Sequence, residues 1–80
     1  MNQNPTLRLL FFGKSAEITG CHERTCNYCS QLVQLQTFLF ETYPQLKSVG
    51  FVIAVNRKIV TTADLKPNDE IAILPPFSGG

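Results

Sequence analysis

Near its C-terminal end the chain runs Asp69-Glu70-Ile71-Ala72-Ile73-Leu74 and then meets Pro75-Pro76. The apolar run 71–74 reads as a buried strand. Proline cannot donate to a sheet ladder, and its fixed φ drives the backbone into an extended, polyproline-like exit, so the strand stops at Leu74. Phe77-Ser78-Gly79-Gly80 follows. Its two glycines can enter a slot too narrow for any side chain, because glycine backbone approaches other surfaces closely. The competing reading is a solvated terminus, which is what most chain ends are. Two features weigh against it. The tail leaves a strand with no polar linker, and it keeps a large apolar residue, Phe77, that solvation alone does not call for.

The rest of the chain supplies what such a strand needs. Residues 6–12 read as a strand apolar on both sides, with Leu7, Leu9 and Phe11 on one face and Leu10 and Phe12 on the other, interrupted only by Arg8. Such a strand is either covered twice within the fold or has one face that another protein covers. Residues 13–20, bounded by glycines, read as a connection, and residues 24–28 as a second strand. Ser30 offers an N-cap to a helix whose core stripe is Leu32, Leu35, Leu39 and Tyr43, and Pro44 ends it. Phe38 borders this stripe and Val33 and Phe40 lie off it; they are expected to widen the core face. Residues 51–55 form an apolar strand, Asn56-Arg57-Lys58 turns it into Ile59-Val60, and Lys66-Pro67-Asn68-Asp69 is a turn in which Asn68 tolerates a left-handed conformation. One helix and about five strands define an α+β class.

Eighty residues make a single domain, residues 1–80, with residues 75–80 as its tail. A net charge of +1 leaves no electrostatic footprint for nucleic acid or an anionic membrane. No run approaches the apolar length of a membrane span, and Met1-Asn2-Gln3-Asn4-Pro5 does not read as a signal peptide, so the cytosol is the expected compartment.

Cys21, Cys26 and Cys29 are spaced C-x4-C-x2-C, as are the first three ligands of a plant-type iron–sulfur site. No fourth cysteine follows Cys29, and the cluster needs it. His22 adjoins Cys21, and a strand would turn these neighbours to opposite faces, which argues against zinc. They are read as ordinary strand and loop cysteines, with no metal expected. No phosphate-binding glycine loop, metal-binding histidine pair or residue able to activate Ser78 occurs. Asp69 and Glu70 look like paired carboxylates, but turn chemistry accounts for them. The chain carries no catalytic apparatus of its own.

Residues 69–80, ending Leu74-Pro75-Pro76-Phe77-Ser78-Gly79-Gly80, resemble the C-terminus of the small, sulfur-carrying subunits of molybdopterin synthase. Residues 10–20 resemble that family's first strand and following loop, and Ala54-Val55-Asn56 its middle strand. The resemblance spans roughly residues 7–80. It implies a ubiquitin-like β-grasp, with a mixed sheet on one main helix, the first and last strands parallel at the sheet's centre, and a flexible Gly-Gly tail. It also implies that the Gly80 carboxylate is the working group. An E1-like adenylating enzyme would activate it with ATP, a persulfide donor would leave a thiocarboxylate, and the tail would deliver sulfur to a cyclic pterin precursor in the large catalytic subunit. No cofactor is expected on this chain. The sequence departs from the family at Ala16, where arginine is frequent and Lys14 offers a nearby charge, and at Gly13, where alanine is usual and the change reads as minor. A thiamine-pathway sulfur carrier, a ubiquitin-like protein modifier, and an interaction module with an inert tail are the alternatives.

The tail cannot hold such a partner alone. Ordering each residue costs about 1–2 kcal/mol, and glycine lies at the expensive end. Burying Phe77 returns roughly 1.5–3 kcal/mol, against about 8 for micromolar affinity. A second docking surface is therefore expected on the sheet face away from the helix, with Phe12 and Leu74 as its residues unless both lie in the core.

Overall fold

The structure is a computed structural model, and residues 4–76 are described. A mixed five-stranded sheet has the order β2-β1-β5-β3-β4. Its strands are β1 (Thr6–Phe11), β2 (Glu23–Asn27), β3 (Val52–Val55), β4 (Lys58–Val60) and β5 (Glu70–Leu74). Helix α2 (Leu32–Thr42) covers one face and runs into a 3-10 turn, Pro44–Ser48. β1 and β5 pair in parallel, Leu9 opposite Ile71 and Phe11 opposite Ile73, which places β5 at the centre of the sheet.

The alternation of β1 decides which face is core. Leu7, Leu9 and Phe11 are buried with Ile71, Ile73 and Ile53 from the sheet and Leu32, Leu35 and Leu39 from α2. Leu46 from the 3-10 turn and Leu65 from the connection before β5 close the ends. Phe11 meets Tyr43 edge-on with ring centroids 6.0 Å apart. Arg24 donates to the Tyr43 hydroxyl at 2.6 Å and lies over the Phe38 ring.

Three local expectations are corrected. Residues 13–20 are not a bare connection: Lys14–Thr19 form a helix, α1. Ser15 is its buried anchor, and Gly20 at φ 75° ends it. The period was hidden because the segment is too short to show an apolar stripe. The N-cap of α2 is Gln31 rather than Ser30; its backbone N–H donates to Gln34 Oε1 at 3.1 Å. Val33 does not widen the core and is 60% exposed, whereas Phe40 is half-buried against Phe51.

The turns follow the sequence more closely. β3 and β4 are joined by Asn56 and Arg57, both at positive φ (50° and 73°), as a two-residue primed hairpin turn requires. Asn68 has φ 71°. Asp69 accepts from the Lys66 N–H at 2.8 Å and from Asn56 Nδ2 at 2.9 Å, while Asn56 Oδ1 accepts from the Glu70 N–H at 2.9 Å. Asp69 is thus spent on holding two turns together.

Candidate functional site

The sheet face opposite α2 carries the alternate residues of each strand. Register places Leu10, Ala72, Ala54 and Ile59 in one row across β1, β5, β3 and β4. The two alanines form a floor, shaded by their larger neighbours and almost fully buried. Phe12 and Ile59 stand up from it, 45% and 54% exposed, and Leu74 is half-buried between the ends of β1 and β3. The result is a shallow apolar concavity of about 560 Å³, lined also by Arg8, Arg57 and Glu70. No element among the described residues covers it. Contiguous apolar surface with a charged rim is the usual mark of a protein interface. Arg8 pairs with Glu23 at 2.8 Å and with Glu70 at 3.8 Å; these exposed pairs add little stability and fix the rim's charges.

The tail leaves from the edge of this face. The Phe12 N–H donates to the Ile73 carbonyl at 3.1 Å, so the ends of β1 and β5 are tied where the tail begins. Ser15, 3% exposed, reinforces that knot. Its Oγ donates to the Phe12 carbonyl at 2.7 Å, accepts from the Phe12 N–H at 3.2 Å and lies 3.3 Å from the Ile73 carbonyl. Ser15→Ala should cost about 1–2 kcal/mol, the range for losing a buried hydrogen-bonding partner, and urea melts would register it.

Pro75 and Pro76 are exposed. Phe77, Ser78, Gly79 and Gly80 lie outside the described residues. Phe12 and Leu74 share the open face with the tail's exit. Gly13 has φ 61°, and a Cβ there would stand 2.8 Å from Pro75 Cγ, so the alanine usual in the family would require a local shift in this chain. Ala16 packs against the core, and Lys14 lies 3.8 Å from Glu17. Sequence reasoning missed Ser15, whose role carries no signal until the fold brings residues 12 and 73 beside it.

The cysteines sit apart from this region. All three are free thiols, Cys26 in the core and the others half-buried. Burial pushes the Cys26 thiol up, with nearby Cys29 adding to it, and burial likewise raises Cys29. Protonated thiols are poor nucleophiles and poor metal ligands. Among the described residues no group of three or more His, Cys, Asp and Glu side chains is placed to hold a metal ion, and no helix is long and apolar enough to cross a membrane.

A mixed sheet on one helix, parallel terminal strands at its centre and a proline-stopped strand leaving beside an open apolar face define a ubiquitin-like β-grasp domain. The chain belongs to the ThiS family, which matches residues 9–80. A human relative, the molybdopterin synthase sulfur carrier subunit, is 39% identical over 92% of this chain and 93% of its own length. A Pyrococcus furiosus structure provisionally named molybdopterin converting factor, subunit 1, shares the fold at TM-score 0.82 with 19% identity, covering 91% of this chain and 99% of that one. The solution structure of small archaeal modifier protein 1 from Methanosarcina acetivorans gives 0.79 with 25% identity, covering 99% of this chain and all of that one.

Proposed function

We propose that this chain is the sulfur carrier of a molybdopterin synthase, working in the cytosol in molybdenum cofactor biosynthesis. The observation that carries the reading is the junction of a central strand, a proline-stopped exit and an uncovered apolar face, in a chain 39% identical to a named sulfur carrier subunit. The folded domain docks on a large catalytic subunit through Leu10, Phe12, Ile59 and Leu74. The tail, with Phe77 as its one apolar anchor, delivers the Gly80 end to that subunit's pocket.

A carboxylate is a poor electrophile, so the Gly80 end needs activation by a partner. In an E1-like enzyme a carboxylate oxygen attacks the α-phosphorus of ATP and pyrophosphate leaves. The terminal sulfur of a persulfide then attacks the acyl carbon and displaces AMP. Cleavage of the resulting acyl disulfide by a thiol leaves the thiocarboxylate and an oxidised thiol pair. This chain contributes reach, orientation and an unhindered end; the ATP site and the acid–base groups belong to its partners. Incubation with activating enzyme, ATP and a persulfide donor should replace one oxygen by sulfur in the intact mass. An unchanged mass with an enzyme active on its own carrier would refute the proposal.

The likeness to an archaeal modifier protein favours a second reading, attachment of Gly80 to protein lysines. The same activation step serves both. Isopeptide-linked products in place of sulfurated pterin would select it.

The cysteines have no part in this scheme. Replacing Cys21, Cys26 and Cys29 together by alanine should leave sulfur transfer near its original rate. The melting temperature should fall by the equivalent of about 1–2 kcal/mol, chiefly from Cys26 in the core. Stoichiometric zinc or iron lost with these substitutions would contradict that assignment.

A further inference from the structure

The open face has a floor of two small side chains. Ala72 and Ala54 lie opposite one another on the adjacent strands β5 and β3, 8% and 4% exposed, yet neither joins the core cluster on the α2 side. Leu10 of β1 pairs with Ala72, and Ile59 of β4 pairs with Ala54, so the row across the sheet reads large, small, small, large. Neighbouring strands stand about 4.8 Å apart, which puts the two large residues roughly 14 Å apart at their backbones. The gap above the alanines has room for one ring or one branched aliphatic side chain. Phe12 and Leu74 wall it on the side of the tail's exit, and Arg8, Glu70 and Arg57 wall it on the other.

The charges on that second wall differ in kind. Arg8 is committed to Glu23 at 2.8 Å and to Glu70 at 3.8 Å. Arg57 is exposed and makes no ion pair among the described residues. It also holds φ 73° in the hairpin turn, a conformation that glycine adopts without strain and an arginine does not. We propose that Ala54 and Ala72 form a socket for one large apolar side chain of the large subunit, and that Arg57 receives a carboxylate beside it. The proposal rests on the carrier reading and names what the docking partner presents. A buried apolar anchor in a pocket is where interfaces concentrate their binding energy. Arg8 and Glu70 offset each other, so the wall keeps one uncompensated positive charge, and an acidic group complements it.

Titration calorimetry of the full chain against the large subunit of its own synthase, beside thermal melts, tests both halves. Ala72→Leu and Ala54→Leu fill the socket from a face that the core does not use. Each should weaken the complex at least about thirtyfold, the effect of losing one anchoring contact, while melting close to the parent. Thr25→Leu adds apolar bulk to the same sheet face outside the socket, on β2 opposite Arg8, and should bind as the parent does. Arg57→Gln should weaken binding about tenfold at low salt, with the difference shrinking as salt rises. Arg57→Gly should lose the same affinity with no fall in melting temperature, because glycine suits φ 73°.

The anchor itself is found by changing the exposed apolar residues of the large subunit to alanine one at a time. One such change should weaken the parent complex and leave that of Ala72→Leu nearly unchanged, since the filled socket has already lost the contact. Parent affinity in both filled variants, an equal loss in Thr25→Leu, or parent affinity at low salt in both Arg57 variants overturns the proposal. If the filled variants melt far below the parent, the Arg57 variants and the alanine scan decide, because neither alters the sheet. A parent chain that does not bind the large subunit refutes the carrier reading instead, a result distinct from a parent that binds and variants that bind equally well.

Discussion

Deleting Gly80, or adding one residue after it, is expected to abolish sulfur transfer and leave the melting temperature unchanged. Among the described residues the core closes between Leu7 and Ile73, so the fold is expected to survive both changes. The chemistry does. One residue changes the reach of an extended chain by about 3.3–3.6 Å, and reacting groups misplaced by even 1 Å lose on the order of a hundredfold. Both variants should therefore fall below detection in the transfer assay while matching the parent in thermal melts. Full activity from a chain lacking Gly80 would end the carrier reading.

The second large effect separates two adjacent phenylalanines. Phe11 is 1% exposed and Phe12 is 45% exposed. Phe11→Ala should cost about 3–5 kcal/mol, transfer and cavity terms together. A domain of this size has only about 4–12 kcal/mol in total, at roughly 0.05–0.15 per residue, so the variant should melt many degrees lower or fail to fold. Phe12→Glu should change the melting temperature little. It should weaken the complex with the large subunit at least about tenfold, since half a phenylalanine's burial is worth roughly 1.4 kcal/mol and a charge enters the apolar face. Leu74→Glu should do both in part, because Leu74 is half-buried. If Phe12→Glu bound normally, the docking surface would lie elsewhere.

Much of this architecture was written in local patterns. The alternation in β1 named Leu7, Leu9 and Phe11 as one face, and the structure buries those three. Strand β5 ends at Leu74, where its prolines set the stop, because proline ends a ladder wherever it stands. Asn68 took the positive φ that its side chain tolerates, and the ThiS family match begins at residue 9, within β1. Each of these signals depends on a few consecutive residues, or on a period that a strand repeats.

What tertiary structure decided lies between residues distant in sequence. Helix α1 is only Lys14–Thr19, too short for a period to announce it, and its Ser15 finds partners in Phe12, just past β1, and Ile73 in β5. The sequence left open whether Phe12 belonged to the core or to a surface; the answer followed from which face α2 covers. In the sequence Gly13 was a small replacement beside a strand end, and only the fold brings Pro75 Cγ to within 2.8 Å of where a Cβ would stand, so that an alanine there would need a local shift in this chain. Sequence by itself determined the last strand and its stop, since those are properties of backbone dihedrals and missing donors. Where Pro75 sits was decided by a contact across 62 residues of chain, beside Gly13, which no local rule contains.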